Sequence, residues 1–211
     1  RLSLDGLTNL ANTALAALGK HKGELSLNGL TSLSDATAQA FCGCRAWLFL
    51  NGLTNVTEKT GKVVTSYKGE GLFLRGLTNL TEEGAKALGS FKGQKLWLDR
   101  LTGLTDAAAR ALAQCKGHLS LDGIKSLSDR AIEALAAHEG GLDLSGLMSL
   151  SDTAARALAK HKGELHLHGL RSFSDAAVKS LSQKAVGEIY SFPSKLDEAL
   201  EAALSDTLPA A

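Results

Sequence analysis

The chain is poor in the residues that usually break or brace a small fold. Of its 211 residues, two are Pro, three are Cys and ten are aromatic (two Trp, two Tyr, six Phe). An odd, low cysteine count makes no disulfide framework. No apolar run approaches the roughly 18 residues of a membrane span. No sign of charge dominates, because 23 Lys and Arg face 22 Asp and Glu, for a net charge of +1. That balance offers no basic stripe to track phosphates and argues against a nucleic-acid partner. The sequence also lacks a G-x-S-x-G elbow, a phosphate loop, a dinucleotide-binding glycine pattern and a paired CxxC. Neither an enzyme nor a cofactor is expected. What is present is length enough to bury a core without staples. A 44% hydrophobic content excludes disorder. The 22 glycines suggest turns at a fixed interval.

That interval is 23 residues. Segments starting at Leu2, Leu25, Leu48, Leu72, Leu96, Leu119, Leu142 and Leu165 align, with two of the spacings stretched to 24. The consensus reads L-x-L-x-G-L-T-x-L-S-D-x-A-A-x-A-L-A-x-H-K-G-x, and residues 142–164 are its cleanest copy. A degenerate ninth unit begins at Ile189.

Each part of the unit has a physical reading. L-x-L predicts a short strand with its leucines inward. Gly follows in seven of eight copies, Arg100 being the exception, and is expected to let the chain turn off the strand. Ser34-Asp35, Thr105-Asp106 and Ser151-Asp152 predict a helix N-cap followed by an acid in the first turn. The Ala-rich run predicts a short, thin helix. Lys22-Gly23, Lys92-Gly93 and Lys162-Gly163 predict its end, with Gly in a left-handed cap. One such unit cannot bury its leucines alone, so units must stack.

The pattern resembles a leucine-rich repeat of a bacterial type, carried by the L-x-L-x-G-L-T-x-L and S-D-x-A-A-x-A-L-A segments over residues 1–187. The resemblance implies an α/β, right-handed solenoid with a parallel sheet on its concave face, short helices on its convex face, and a binding role. One position departs from the family. Where Asn or Cys usually closes the turn, this chain has Leu7, Leu30, Leu53, Leu77, Leu101, Ile124, Leu147 and Leu170. No asparagine ladder is therefore expected, and backbone bonds must close the turn. Residues 188–211 read as the degenerate repeat and a capping helix. Pro193 marks a break, and Leu196, Ala199, Leu200, Ala203 and Leu204 form an apolar stripe. The N-terminal repeat has no matching cap. That predicts either a piece of a longer protein or weak self-association of a monomer through its open edge.

Function is expected on the strand positions that face away from the core. Trp47, Phe49, Phe73 and Trp97 fall there on neighbouring strands, as one patch about 15 Å wide at ordinary strand spacing. Asn51, Arg75, Lys95 and Asp99 surround it. Exposed aromatics beside Arg are the composition of a binding hot spot. The plainer reading is that another segment or another copy covers the patch. The chain is thus expected to be a recognition scaffold for a protein or peptide. The alternatives are a carbohydrate-binding module using the aromatic row and an architectural spacer.

The other reactive residues fit packing. His21, His138 and His161 share a helix-end position with Cys44, Tyr67, Phe91 and Cys115. His118, His166 and His168 point outward, with Glu164 and Asp143 near His166. Imidazole and carboxylate suit zinc, but H-x-H on a strand is a weak signal, and no metal is assigned. Cys42, Cys44 and Cys115 are read as free thiols. Asp99 and Asp122 could form a carboxylate pair for glycoside hydrolysis, but nothing in the sequence marks a pocket beside them.

Overall fold

A computed structural model describes residues 1–10, 12–41, 44–45, 47–56, 60–61, 63, 66–184, 189–190 and 198–200. Nine short strands follow one another in a single sheet, every neighbouring pair parallel and in chain order. They are β1 (Leu2–Ser3), β2 (Glu24–Ser26), β3 (Trp47–Phe49), β4 (Gly71–Phe73), β5 (Lys95–Trp97), β6 (His118–Ser120), β7 (Leu142–Asp143), β8 (Leu165–His166) and β9 (Ile189–Tyr190). The register is fixed by the repeat: Leu25 sits beside Leu48, Leu72 beside Leu96, and Leu119 beside Leu142. Helices alternate with the strands. Those with bounds among the described residues are α1 (Asn12–Leu18), α2 (Asp35–Phe41), α3 (Glu82–Gly89), α4 (Asp106–Leu112), α5 (Asp129–Ala136), α6 (Asp152–Leu158) and α7 (Asp175–Leu181).

The leucines explain the order. In β2 to β8 the first strand leucine (Leu25 to Leu165) and the second, just beyond it (Leu27 to Leu167), are essentially inaccessible. Leu30, Leu53, Leu77, Leu101, Ile124, Leu147 and Leu170 form a third buried row. Ala108, Ala109 and Leu112 of α4 close the same core, as do Ala154, Ala155 and Leu158 of α6. Each leucine so buried is worth about 1.5–3 kcal/mol. Leu7, in the first unit, is 41% exposed, and β1 is the edge strand among the described residues.

Of the predicted caps, those at Thr105 and Ser151 are present, and other units repeat them. Thr81, Thr105, Ser128, Ser151 and Ser174 take extended backbone, and each side-chain oxygen accepts a hydrogen bond from the N–H three residues on. The hydroxyl also works across the stack. Ser151 Oγ donates to Asp129 Oδ1 of the preceding unit at 2.6 Å, and Ser128 and Ser174 donate likewise to Asp106 and Asp152. The Ser-Asp pair therefore caps one helix and ties it to its neighbour.

Both glycine expectations need correction. None of Gly23, Gly93 and Gly163 takes left-handed backbone. The helices end instead on right-handed residues such as Ala113 and Ala159. The turn is closed by short bonds like Cys115 N–H to Leu112 O and His161 N–H to Leu158 O. Glycine is needed here, and after the strand, for closeness. A Cβ on Gly163 would stand 2.2 Å from the Gly140 carbonyl, and one on Gly123 would stand 2.2 Å from that of Asp99. At Gly163 and Gly123 successive units pack too tightly to admit a side chain, whereas one unit carries Arg100 at the second corner.

The turn after the strand closes as expected, with Leu30 N–H bonding Leu27 O and Leu101 N–H bonding Leu98 O. Yet a side-chain ladder does exist, two positions before the column where asparagine would be expected. Asp5 Oδ1 accepts from Asn28 N–H, Asn28 Oδ1 from Asn51 N–H, and Asn51 Oδ1 from Arg75 N–H, each at 2.9–3.0 Å. At the far end, β9 pairs with β8, and Glu198 to Leu200 are helical, with Ala199 and Leu200 packed on the core. Pro193, Leu196, Ala203 and Leu204 lie outside the described residues. No helix among those described is long and apolar enough to cross a membrane.

Candidate functional site

Side chains alternate along a strand, so the residue between two buried leucines faces away from the core. In β3, β4 and β5 that residue is Phe49, Phe73 and Trp97, paired in register. Their rings stack. Phe49 and Phe73 lie 4.0 Å apart at 12°, and Phe73 and Trp97 lie 4.1 Å apart at 8°. Trp47, one residue before the first leucine of β3, leans across the row. Its ring lies 6.0 Å from Phe73 and 6.1 Å from Trp97. Gly71 makes this lean possible, since a Cβ there would stand 3.0 Å from the indole.

Two cations top the row. Lys95 Nζ stands 5.4 Å from the Trp97 ring and 5.9 Å from that of Trp47. Arg75 Cζ stands 5.5 Å from the Phe73 ring. All three distances suit a cation–π contact. Glu70, which the residue pattern did not single out, accepts a hydrogen bond from Trp47 Nε1 at 3.2 Å. Gly71 and Glu70 were readable as the residues aligned beside Trp47, once its ring was asked to lean rather than stand.

The eight expected residues are thus in one place, but they are not alike. Trp47, Phe49 and Trp97 are partly exposed. Phe73, expected as a contact residue, is only 6% exposed because Phe49 and Trp97 cover both its faces. The row also spans three strands and two spacings, about 10 Å rather than 15 Å. Asn51 gives its carbonyl to Arg75 N–H. Arg75 Nε in turn meets Asp99 Oδ2 at 2.7 Å, while Asp99 Oδ1 accepts from Ser120 Oγ. Asn51, Arg75 and Asp99 therefore brace the row from one side.

The histidines divide as their columns suggest. His138 and His161 are buried and stack 6.3 Å apart at 11°. His138 Nε2 bonds Gly117 O at 2.8 Å. Burial holds His161 below the ordinary imidazole pKa, and the repulsion of Lys184 and His138 adds to it. Lys184 continues this column, buried, its ammonium donating to His161 O at 2.6 Å. Cys44 and Cys115 are buried free thiols, and burial pushes Cys115 up to about 12. Cys42 lies outside the described residues.

On the outward face the histidines gather differently from expectation. His118, Glu164 and His166 converge, each with a ligand-type atom within 4.8 Å of the others. Asp143, paired with His166 in register, has Oδ1 taken by Ser145 N–H and Oγ. Burial and the neighbouring His166 lower the His118 pKa. Burial, then Asp143 and Asp99, raise that of Asp122.

A broad concavity lies elsewhere, on the helix side, lined by Glu133, His138, Glu139, Arg156, Lys160 and Ser180 among others. It includes none of the aromatic row. Its charges are mixed and it gathers no convergent polar set, so the row is the stronger candidate. No protein-family model matches this chain, and no curated protein matches it.

Proposed function

We propose that the chain is a leucine-rich-repeat solenoid that recognises a protein or peptide segment through the outward face of its sheet. The sequential, in-register parallel strands support the solenoid. Helices in neighbouring units need about 8–10 Å of separation and strands only about 4.8 Å. The sheet therefore takes the inner, concave side. Parallel crossovers in one sheet are right-handed in about 98% of cases, which sets the hand.

The observation that carries recognition is the aromatic row itself. Trp47, Phe49 and Trp97 remain partly exposed on the outward side, with Lys95 and Arg75 above them. Apolar ring surface in water is unfavourable, at roughly 25 cal/mol per Å². A partner that covers it gains that energy, and the Asn51–Arg75–Asp99 brace lowers the ordering cost. The fitting partner presents an apolar or aromatic side chain to the row, with an acidic group for Lys95.

The carbohydrate reading is weaker on a specific ground. Sugars stack on open ring faces. Here the faces of Phe49, Phe73 and Trp97 are turned on each other at 4.0–4.1 Å, so the row offers mostly edges.

Parallel selections test the reading, a displayed peptide library and a glycan array against the same chain. Selected peptides are expected to lose about 2 kcal/mol, roughly thirtyfold in affinity, on Trp97→Ala. Peptides that bind Trp97→Ala and Trp47→Ala as tightly as the parent, or glycans that bind while no peptide does, contradict it.

A further inference from the structure

The outward face carries a second cluster that the aromatic row does not use. His118 stands on β6, two strands from His166 on β8, and Glu164 immediately precedes β8. Between them, immediately before β7, the chain holds Gly141. A Cβ at Gly141 would stand 2.6 Å from His118 Nδ1. The missing side chain is a notch that lets the His118 ring cross the intervening strand. The two rings meet edge to face, 5.7 Å apart at 83°. Gly71 plays the same part for Trp47, but there the ring leans onto other aromatics. Here it leans onto an imidazole and a carboxylate.

We propose that His118, Glu164 and His166 form a binding site for one divalent ion of the zinc class. Their ligand atoms already lie within 4.8 Å of one another. Tetrahedral zinc with bonds of about 2.0–2.2 Å holds its ligand atoms roughly 3.4 Å apart. Closing the gap takes side-chain rotation only. Glu164 is exposed and its side chain has the length to swing inward.

The donor set selects the ion. Two imidazoles and one carboxylate suit zinc, while magnesium and calcium prefer oxygen alone. Three protein ligands leave a fourth position for water or a partner's side chain, as in open zinc sites. The surrounding charge favours a cation. Asp143 lies beside His166 in register, while Lys95, beside His118 in register, has its ammonium drawn over the Trp47 and Trp97 rings. The site stands on strands fixed by buried leucines, so its backbone is already in place.

The test titrates tag-free protein with zinc chloride at neutral pH by calorimetry, with the fold followed by circular dichroism. One zinc per chain is expected, and no magnesium. His118→Ala and Glu164→Gln are each expected to weaken zinc at least about tenfold, the size that even outer-layer partners contribute. His21→Ala, on the helix-end column, leaves binding unchanged. Should His118→Ala fail to fold, Glu164→Gln decides, since its side chain is exposed. No uptake at millimolar zinc, or uptake indifferent to Glu164→Gln, overturns the proposal. Binding of the peptide partner plays no part in this test, so the two readings fail independently.

Discussion

Gly6 and Gly146 hold the same place in the repeat, but their surroundings are opposite. A methyl added at Gly146 would stand 1.9 Å from the Asp122 carbonyl, whereas one added at Gly6 meets nothing within 4 Å. Neither takes left-handed backbone. Replacing a glycine in ordinary backbone usually stabilises by about 0.4–1 kcal/mol through the unfolded chain. Gly6→Ala is therefore expected to be neutral or mildly stabilising. Gly146→Ala is expected to cost about 1–3 kcal/mol or more, by overpacking. Denaturant melts of the two variants separate the causes. Equal effects of one sign would return the glycine to the role of a flexible turn.

His161 carries a second prediction at this scale. In the unfolded chain it takes up a proton near an ordinary pKa of about 6.5. In the fold, burial lowers that value. Between the two values the unfolded state binds more protons, so stability rises with pH and is lost as pH falls below about 6.5. Phe91 fills the equivalent place in another unit, so His161→Phe should fit. The loss of unfolding free energy on acidification is expected to shrink in His161→Phe. An identical loss in parent and variant would place the sensitivity elsewhere.

Among the elements, the helices were the most legible. Ser or Thr before an acid gave the N-caps because the chemistry is local, a side-chain oxygen meeting an N–H three residues on. The second use of the same Ser, donating to the previous helix, was not legible, because it depends on how units stack. Ser151→Ala should therefore cost more than an isolated cap. It loses about 1 kcal/mol at its own helix and part of the tie to Asp129. A double-mutant cycle with Asp129→Ala measures the tie, and a coupling energy of zero would deny it. The glycine corners were misread for a related reason. A fixed glycine signals either rare backbone or close approach, and a single unit cannot distinguish them. The side-chain ladder from Asp5 to Arg75 escaped because its rungs are neighbours only after stacking.

For the whole molecule, the repeat period placed the nine strands and the aromatic row, since register follows from spacing. It did not show that Phe73 would be enclosed, or that Gly71 and Gly141 would let rings from β3 and β6 cross a strand. Those facts depend on side-chain direction across three strands. They divide the outward face into an aromatic half under Lys95 and a histidine half around Glu164. The central claim is that a partner docks on the aromatic half. The chain has two tryptophans, and both stand there. Tryptophan emission, excited selectively over tyrosine and read with a tryptophan-free peptide, therefore reports on that surface alone. With a selected peptide at saturation, the account predicts a blue-shifted tryptophan emission and weaker quenching by acrylamide. Unchanged emission and quenching at full occupancy would contradict it.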